Sequence, residues 1–240
     1  MSIEITDLTF SFGASRILDR LSLEVPQNSV TCLLGPSGCG KTTLLKLLAG
    51  LGLPEGRLEA GAVRGLGEGD RIGFVFQEPR LLGWRTLYEN LDLVIPKTLA
   101  GEERRARIRG VLERFGLEDY SLSLPSRLSG GMKQRASLAR ALVFGGEYLF
   151  MDEPFQGLDP RLKENLINDF LSWKQKLPQT VLLVTHDTRE AAVMGDRIYL
   201  LTPRPGRVCR SYENLPASQN RSAGEKAALA EELYRVMAGT

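Results

Sequence analysis

The sequence predicts an α/β protein with a largely parallel core sheet, interrupted by a helical block. Three observations predict it. A glycine loop lies between a continuous apolar run and a helical pattern, strand and helix patterns alternate again after residue 144, and the stretch from Thr86 to Val143 carries helical spacing.

Each element has a local reason. Residues 3–10 alternate polar and apolar, and so do residues 21–25 before Pro26 and Asn28 signal a turn. Residues 29–34 form a more continuous apolar run, as in a strand buried on both faces. A glycine loop follows, then a helix over 42–49 closed by Gly50. The glycine-rich stretch 50–70 reads as hairpin and loop, and 71–76 as a short strand. Residues 102–115 and 130–143 carry apolar side chains at three- and four-residue spacing. Beyond them the patterns predict a strand at 148–151, a helix at 161–176, a strand at 181–185 and a short helix at 189–194. An amphipathic helix over 225–237 gathers Leu229, Leu233, Val236 and Met237 on one side. The expected organisation is one domain over 1–240. Its core is 1–85 with 144–215, its helical subdomain 86–143, and its helical tail 216–240.

Composition narrows the function. The chain has 240 residues, 42% hydrophobic and 25% charged, the balance of an ordinary globular domain. A net charge of +2 is too mild for the basic stripe of a nucleic-acid binder, and the arginines 104, 105, 107 and 109 are interleaved with Glu102, Glu103 and Glu113, as on a solvated helix face. No apolar run is long enough to span a bilayer, and the first residues carry acids and no apolar signal region. Cys32, Cys39 and Cys209 make neither a disulfide framework nor a metal cluster. These features together point to a reducing cytoplasm, with any membrane contact made through a partner.

The chemistry-bearing residues stand at the ends of apolar runs. Gly35, Pro36, Ser37, Gly38, Cys39, Gly40, Lys41, Thr42 and Thr43 fit the pattern G-x-x-x-x-G-K-[ST]. Glycines there let backbone N–H groups curl around phosphate, Lys41 offsets its charge, and Thr42 offers a hydroxyl to Mg²⁺. Asp152 and Glu153 end a buried strand, the first suited to the metal side and the second to an attacking water. His186, the sole histidine, ends another strand, where it could reach a γ-phosphate. Ser129, Gly130 and Gly131 open a helix with free N–H groups, which by themselves make either an ordinary serine N-cap or a second anion site in one chain. Cys39, beside Lys41 and a helix N-terminus, is expected to be the most reactive thiol, and Cys32 to be shielded.

In this order the motifs resemble the ABC ATPase family along nearly the whole chain. The resemblance implies a P-loop NTPase with a RecA-like parallel-sheet core, an N-terminal antiparallel β subdomain and an inserted α-helical signature subdomain. It implies that Gln77 is the Q-loop glutamine, touching Mg²⁺ and water. The signature spans 128–135, Asp159 belongs to the D-loop, and His186 is the switch histidine. Phe12 before Gly13, with Phe10 as the alternative, corresponds to the aromatic that stacks on adenine. It further implies an ATP-hydrolysing homodimer joined head to tail, each phosphate loop facing the partner's Ser129, Gly130 and Gly131, with Mg²⁺ as cofactor. Membrane permease subunits, an extracytoplasmic solute-binding protein and a place at the cytoplasmic membrane face follow from the same resemblance.

The segments 77–91, 130–135 and 204–208 look like the nitrate, sulfonate and taurine importer branch, although Gly83 stands where that branch usually has proline. A DNA-repair type is disfavoured because no long coiled coil separates Gln77 from Ser129, and a small-molecule kinase would leave the signature and His186 without roles. The chain ends soon after residue 238, so no large C-terminal regulatory domain is expected. Residues 77–87, with Pro79, Leu81, Leu82 and Trp84, are expected either to dock the permease or to pack beneath the helical subdomain.

Overall fold

The computed structural model describes residues 1–213, 215 and 218–239. They divide into two compact units, each built from separate stretches of chain. The first comprises 1–70, 150–152 and 179–240, and the second 71–149 and 153–178. Part of the junction expected between core and tail, at 215/216, lies outside the described residues.

In chain order the first unit opens with β1 (Ile3–Phe12), β2 (Ser15–Val25), β3 (Val30–Leu34), α1 (Lys41–Leu48) and β4 (Gly56–Arg64). The second contributes β5 (Ile72–Val75), α2 (Leu87–Asp92), α3 (Gly101–Arg114), α4 (Gly130–Phe144), β6 (Tyr148–Asp152) and α5 (Pro160–Lys174), with the last three residues of β6 counted in the first unit. The chain then returns through β7 (Thr180–Thr185), α6 (Thr188–Met194), β8 (Arg197–Leu201), β9 (Val208–Tyr212) and α7 (Ala223–Ala238).

Within the first unit, β2, β1 and β4 form an antiparallel sheet in that order. The stretch read from sequence as hairpin and loop is therefore one strand on β1. Its side chains are almost all exposed and four of its nine residues are glycine or alanine, so the period-two signal of a half-buried strand never appears. The other sheet runs β6, β7, β3, β8, β9 in this unit. β3 is buried at all five positions and pairs in parallel with β7 and β8, which is why its sequence is largely apolar, with Thr31 the one polar residue. β9 closes the edge antiparallel to β8, and these two strands were not read from the sequence. The parallel pairing brings the C-terminal ends of β3 and β7 to one edge, with Leu34 opposite Thr185, so Gly35 and His186 are the next residues on neighbouring strands.

The terminal helix α7 begins with a capping box between Ser222 and Glu225. It packs on α6 through Leu229 and Leu233, both buried, while Val236 and Met237 are half-buried. In the second unit, β5 neighbours β6, and α4 is a helix with a buried face that includes Leu138, Leu142 and Val143. Gly145 ends α4 in the left-handed conformation.

Candidate active site

The first unit assembles a phosphate-type cradle. The chain leaves β3 at Gly35 and enters α1 at Lys41. Gly38 (φ +79°) and Gly40 (φ +105°) take backbone angles that L side chains rarely adopt. Gly40 is constrained twice, because a Cβ there would lie 2.6 Å from Leu18 Cδ2. The Lys41 ammonium is buried and donates to the carbonyls of Gly35 (2.7 Å) and Pro36 (2.9 Å). Thr42 Oγ1 donates to Asp152 Oδ1 at 2.8 Å, joining the start of α1 to the end of β6. Pro36 and Thr43 are half-exposed, and Ser37 and Gly38 are exposed.

The hydroxyl of Thr42 and the carboxylate of Asp152 are hard oxygen donors, the type that Mg²⁺ takes. Among the described residues no cluster of three or more His, Cys, Asp or Glu could hold a metal. A cation here would draw the rest of its shell from water and phosphate, as Mg²⁺ does at nucleotide sites. The residues present therefore fit such an ion.

His186 is exposed at the end of β7. Its neighbours are fixed by a local network: Thr185 Oγ1 donates to the buried Glu190 carboxylate at 2.6 Å and accepts from Asp187 N at 3.0 Å. Asp187 also caps α6. Phe12 is half-exposed, and its ring meets Phe10 edge-on at 5.2 Å between centroids. Phe10 is 2% exposed and belongs to the core, which leaves Phe12 as the accessible ring.

The second unit holds the remaining candidates. Ser129 caps α4, its Oγ accepting from Met132 N at 3.3 Å. Gly130 and Gly131 form the first turn, and a Cβ on Gly131 would come within 2.5 Å of the Leu162 side chain of α5. Asp159 caps α5, accepting from Leu162 N at 3.0 Å. Glu153 is half-buried and has φ +46°, a left-handed backbone that is uncommon for a residue with a side chain. Such strain concentrates at functional sites. Gln77 is exposed and donates through Nε2 to Gln156 Oε1.

Two residues of this network were missed from sequence. Gln156 is Gln77's partner, and Gln134, buried in α4, donates from Nε2 to the carbonyl of Pro154, next to Glu153. A glutamine spaced one helical turn inside the signature helix was the available signal.

The thiol expectation is corrected. Cys39 is 1% exposed, and burial pushes its thiol up although the Lys41 ammonium pulls the other way. Cys32 is fully buried and its thiol is pushed well above the usual range. Cys209 is exposed. Brief maleimide treatment at neutral pH is expected to label Cys209 first and to leave Cys39 largely unmodified, as peptide mass mapping would show; a dominant Cys39 adduct would contradict this.

A loop of this form between a buried parallel strand and a helix, with an acid from a second strand on its threonine, defines the P-loop nucleoside-triphosphatase class. The family model described as ABC transporter matches residues 18–156. The chain is 40% identical over 217 residues to an aliphatic sulfonates import ATP-binding protein of Mesorhizobium japonicum, covering 89% of this chain and 79% of that one. It is 36% identical over 226 residues to a nitrate import ATP-binding protein of Synechocystis, with 91% and 85% covered. Among solved structures it superposes with a TM-score of 0.76 on an ATP-binding cassette in a dimeric post-hydrolysis state bound to ADP and Pi, 27% identical, covering 89% of this chain and 99% of that chain. The chain belongs to the ABC transporter family and is an ABC-type ATPase.

Proposed function

We propose that this chain is the ATP-hydrolysing subunit of an importer for a small solute such as nitrate, a sulfonate or taurine, driving a separate permease by head-to-tail dimerisation. The convergence of Lys41, Thr42 and Asp152 around one glycine loop carries the reading. The import functions of those relatives and the dimeric state of the structural neighbour support its finer parts.

In this reading the loop Gly35–Thr43 holds the phosphates through backbone N–H groups, and Lys41 turns from the loop carbonyls to the β/γ-phosphates. Thr42, Asp152 and, as the resemblance implies, Gln77 would hold Mg²⁺, which would offset the charge that develops on the transferred phosphoryl oxygens. Glu153 accepts the proton of the attacking water, and His186 hydrogen-bonds the γ-phosphate. Phe12 stacks on adenine. Ser129, Gly130 and Gly131 close on the partner's nucleotide, and Asp159 lies at the dimer contact. The helical segment 86–143 carries this second half-site, the rest of 1–215 the nucleotide core, and the region from 216 onward a helical tail. The dimer sits at the cytoplasmic membrane face, fed by an extracytoplasmic binding protein through the permease, with no role for nucleic acid. The deciding measurement is phosphate release from MgATP with no acceptor present. Release only when a phosphorylatable acceptor is added would favour a kinase and overturn the reading.

In this reading the permease contact lies at 77–87. Trp84 is 77% exposed, which removes the alternative that it packs as core. The segment is held rigid from below: buried Asn90 accepts from Leu82 N at 2.8 Å and donates to the carbonyls of Leu82, Arg85 and Thr86. The backbone N–H groups of Leu87 and Tyr88 donate to Ser123 and Ser121, bringing exposed Leu122 and Leu124 onto the same unit. An exposed apolar surface of this kind marks an interface. Trp84→Ala should therefore keep its melting temperature, escape the roughly 3–5 kcal/mol penalty of a core tryptophan, and lose co-purification with its permease. A stable variant that still couples hydrolysis to transport in vesicles would exclude Trp84 from the contact.

A further inference from the structure

The turn between β8 and β9, Thr202–Pro–Arg–Pro–Gly–Arg207, touches both ends of the proposed nucleotide site, all within the first unit. At one end, Arg204 donates to Ser15 Oγ and to the carbonyl of Arg16 (3.3 Å). Ser15 is the ladder partner of Phe12 across the β1–β2 hairpin. At the other end, Gly206 lies against the phosphate loop, where a Cβ would fall 2.2 Å from the carbonyl oxygen of Cys39. Leu18 fills the space between the two glycines, since added Cβ atoms on Gly40 and Gly206 would meet its Cδ2 at 2.6 and 3.4 Å.

The turn has little freedom of its own. Thr202 Oγ1 donates to the carbonyl of Pro205 (3.1 Å) and accepts from Arg207 N (3.1 Å), and Thr202 N donates to the carbonyl of Arg207 (2.9 Å). Gly206 N donates to Ile17 O at 2.8 Å, and Asp19 N donates to Gly206 O at 3.1 Å. Arg207 pairs with Asp19, which is 3% exposed and also accepts from Arg16 Nη1 at 3.3 Å. A carboxylate so buried is held by its cations, and removing one leaves it partly uncompensated.

We propose that this turn is a rigid spacer that sets the distance between the adenine platform at Phe12 and the phosphate loop at Cys39–Gly40, with Arg204 and Gly206 as its positioning residues. The inference rests on the reading that these two elements hold ATP. The two contacts act on different parts of the ligand. Loss of the Arg204 contact frees the Phe12 hairpin and removes binding of the base, which is equal in ground and transition states. A methyl group on Gly206 pushes the Cys39 carbonyl and with it the N–H groups that must meet the phosphates.

The test is steady-state hydrolysis of MgATP by the full chain, with melting temperature recorded alongside. Arg204→Ala should raise KM about tenfold with kcat retained, the sign of lost uniform binding, and Arg204→Lys should return KM toward wild type. Gly206→Ala should lower kcat as well as kcat/KM, by about tenfold or more, because small misplacement of reacting groups is costly. Lys41→Ala serves as the reference for loss of the site itself. If Lys41→Ala abolishes activity while Arg204→Ala keeps the wild-type KM, the spacer is refuted and the ATP site stands. A fall in melting temperature with KM unchanged would show a purely structural turn and equally refute it. If wild type does not hydrolyse ATP, the functional reading fails first and the spacer with it. Should Gly206→Ala not fold, the Arg204 pair of variants decides alone.

Discussion

Glu153→Gln is expected to bind MgATP and to hydrolyse it about 10²–10⁴-fold more slowly than wild type, the usual contribution of a positioned general base. The amide keeps the size of the side chain and loses its basicity. Glutamine can occupy the same left-handed backbone (φ +46°) at no more cost than glutamate, so the strained turn after β6 should survive. The supports of that turn are also untouched: Gln134 still donates to the carbonyl of Pro154, and Gln156 N to the carbonyl of Glu153 at 3.2 Å. Trapped before hydrolysis, the variant should elute from gel filtration as a dimer in MgATP and shift back when ATP is removed. Wild-type turnover in Glu153→Gln would refute its role as base.

The second large effect concerns two lesions that rescue each other. Lys41→Ala removes a buried ammonium from the phosphate loop and should abolish nucleotide binding by titration. Ser129→Arg removes the cap on α4, which costs about 1 kcal/mol, and sets a long cation in the turn of Gly130 and Gly131. It should bind ATP as a monomer and show no hydrolysis. If each nucleotide lies between one chain's loop and the other's signature, a mixed dimer places both lesions at one site and leaves the second whole. Mixing the two inactive proteins should then restore part of the activity. Full activity of Ser129→Arg by itself would rule out the shared site.

The parts of this molecule that were legible in the sequence are those where one local rule acts alone. The continuous apolar run of β3, the glycine loop behind it and the capped helices α4 and α7 follow from burial on two faces, required backbone angles and unsatisfied helix ends. β4 was hidden because it lies on β1 with exposed side chains and so carries no alternation. β8 and β9 were hidden because their turn, rich in proline, glycine and arginine, reads as loop, and β9 exposes most of its side chains. The left-handed backbone of Glu153 and the bonds of Gln134 and Gln156 depend on tertiary contacts that spacing does not express. For Cys39 the sequence showed the helix end and the lysine but not the burial, and burial outweighs both.

The placement of β3 has a consequence for synthesis on the ribosome. Val30 pairs with Val181, and Thr31 pairs with Leu182 and Arg197, so the strand that launches the phosphate loop is flanked only by segments from the last third of the chain. Contacts so distant in sequence form late and slowly. The nascent polypeptide must therefore carry a largely apolar strand without its sheet neighbours until β7 and β8 leave the exit tunnel, while β1, β2 and β4 can already pair among themselves. A truncation before residue 180 would leave that strand exposed and prone to aggregate, so nucleotide binding in this chain is acquired near the end of translation rather than when its glycine loop first emerges.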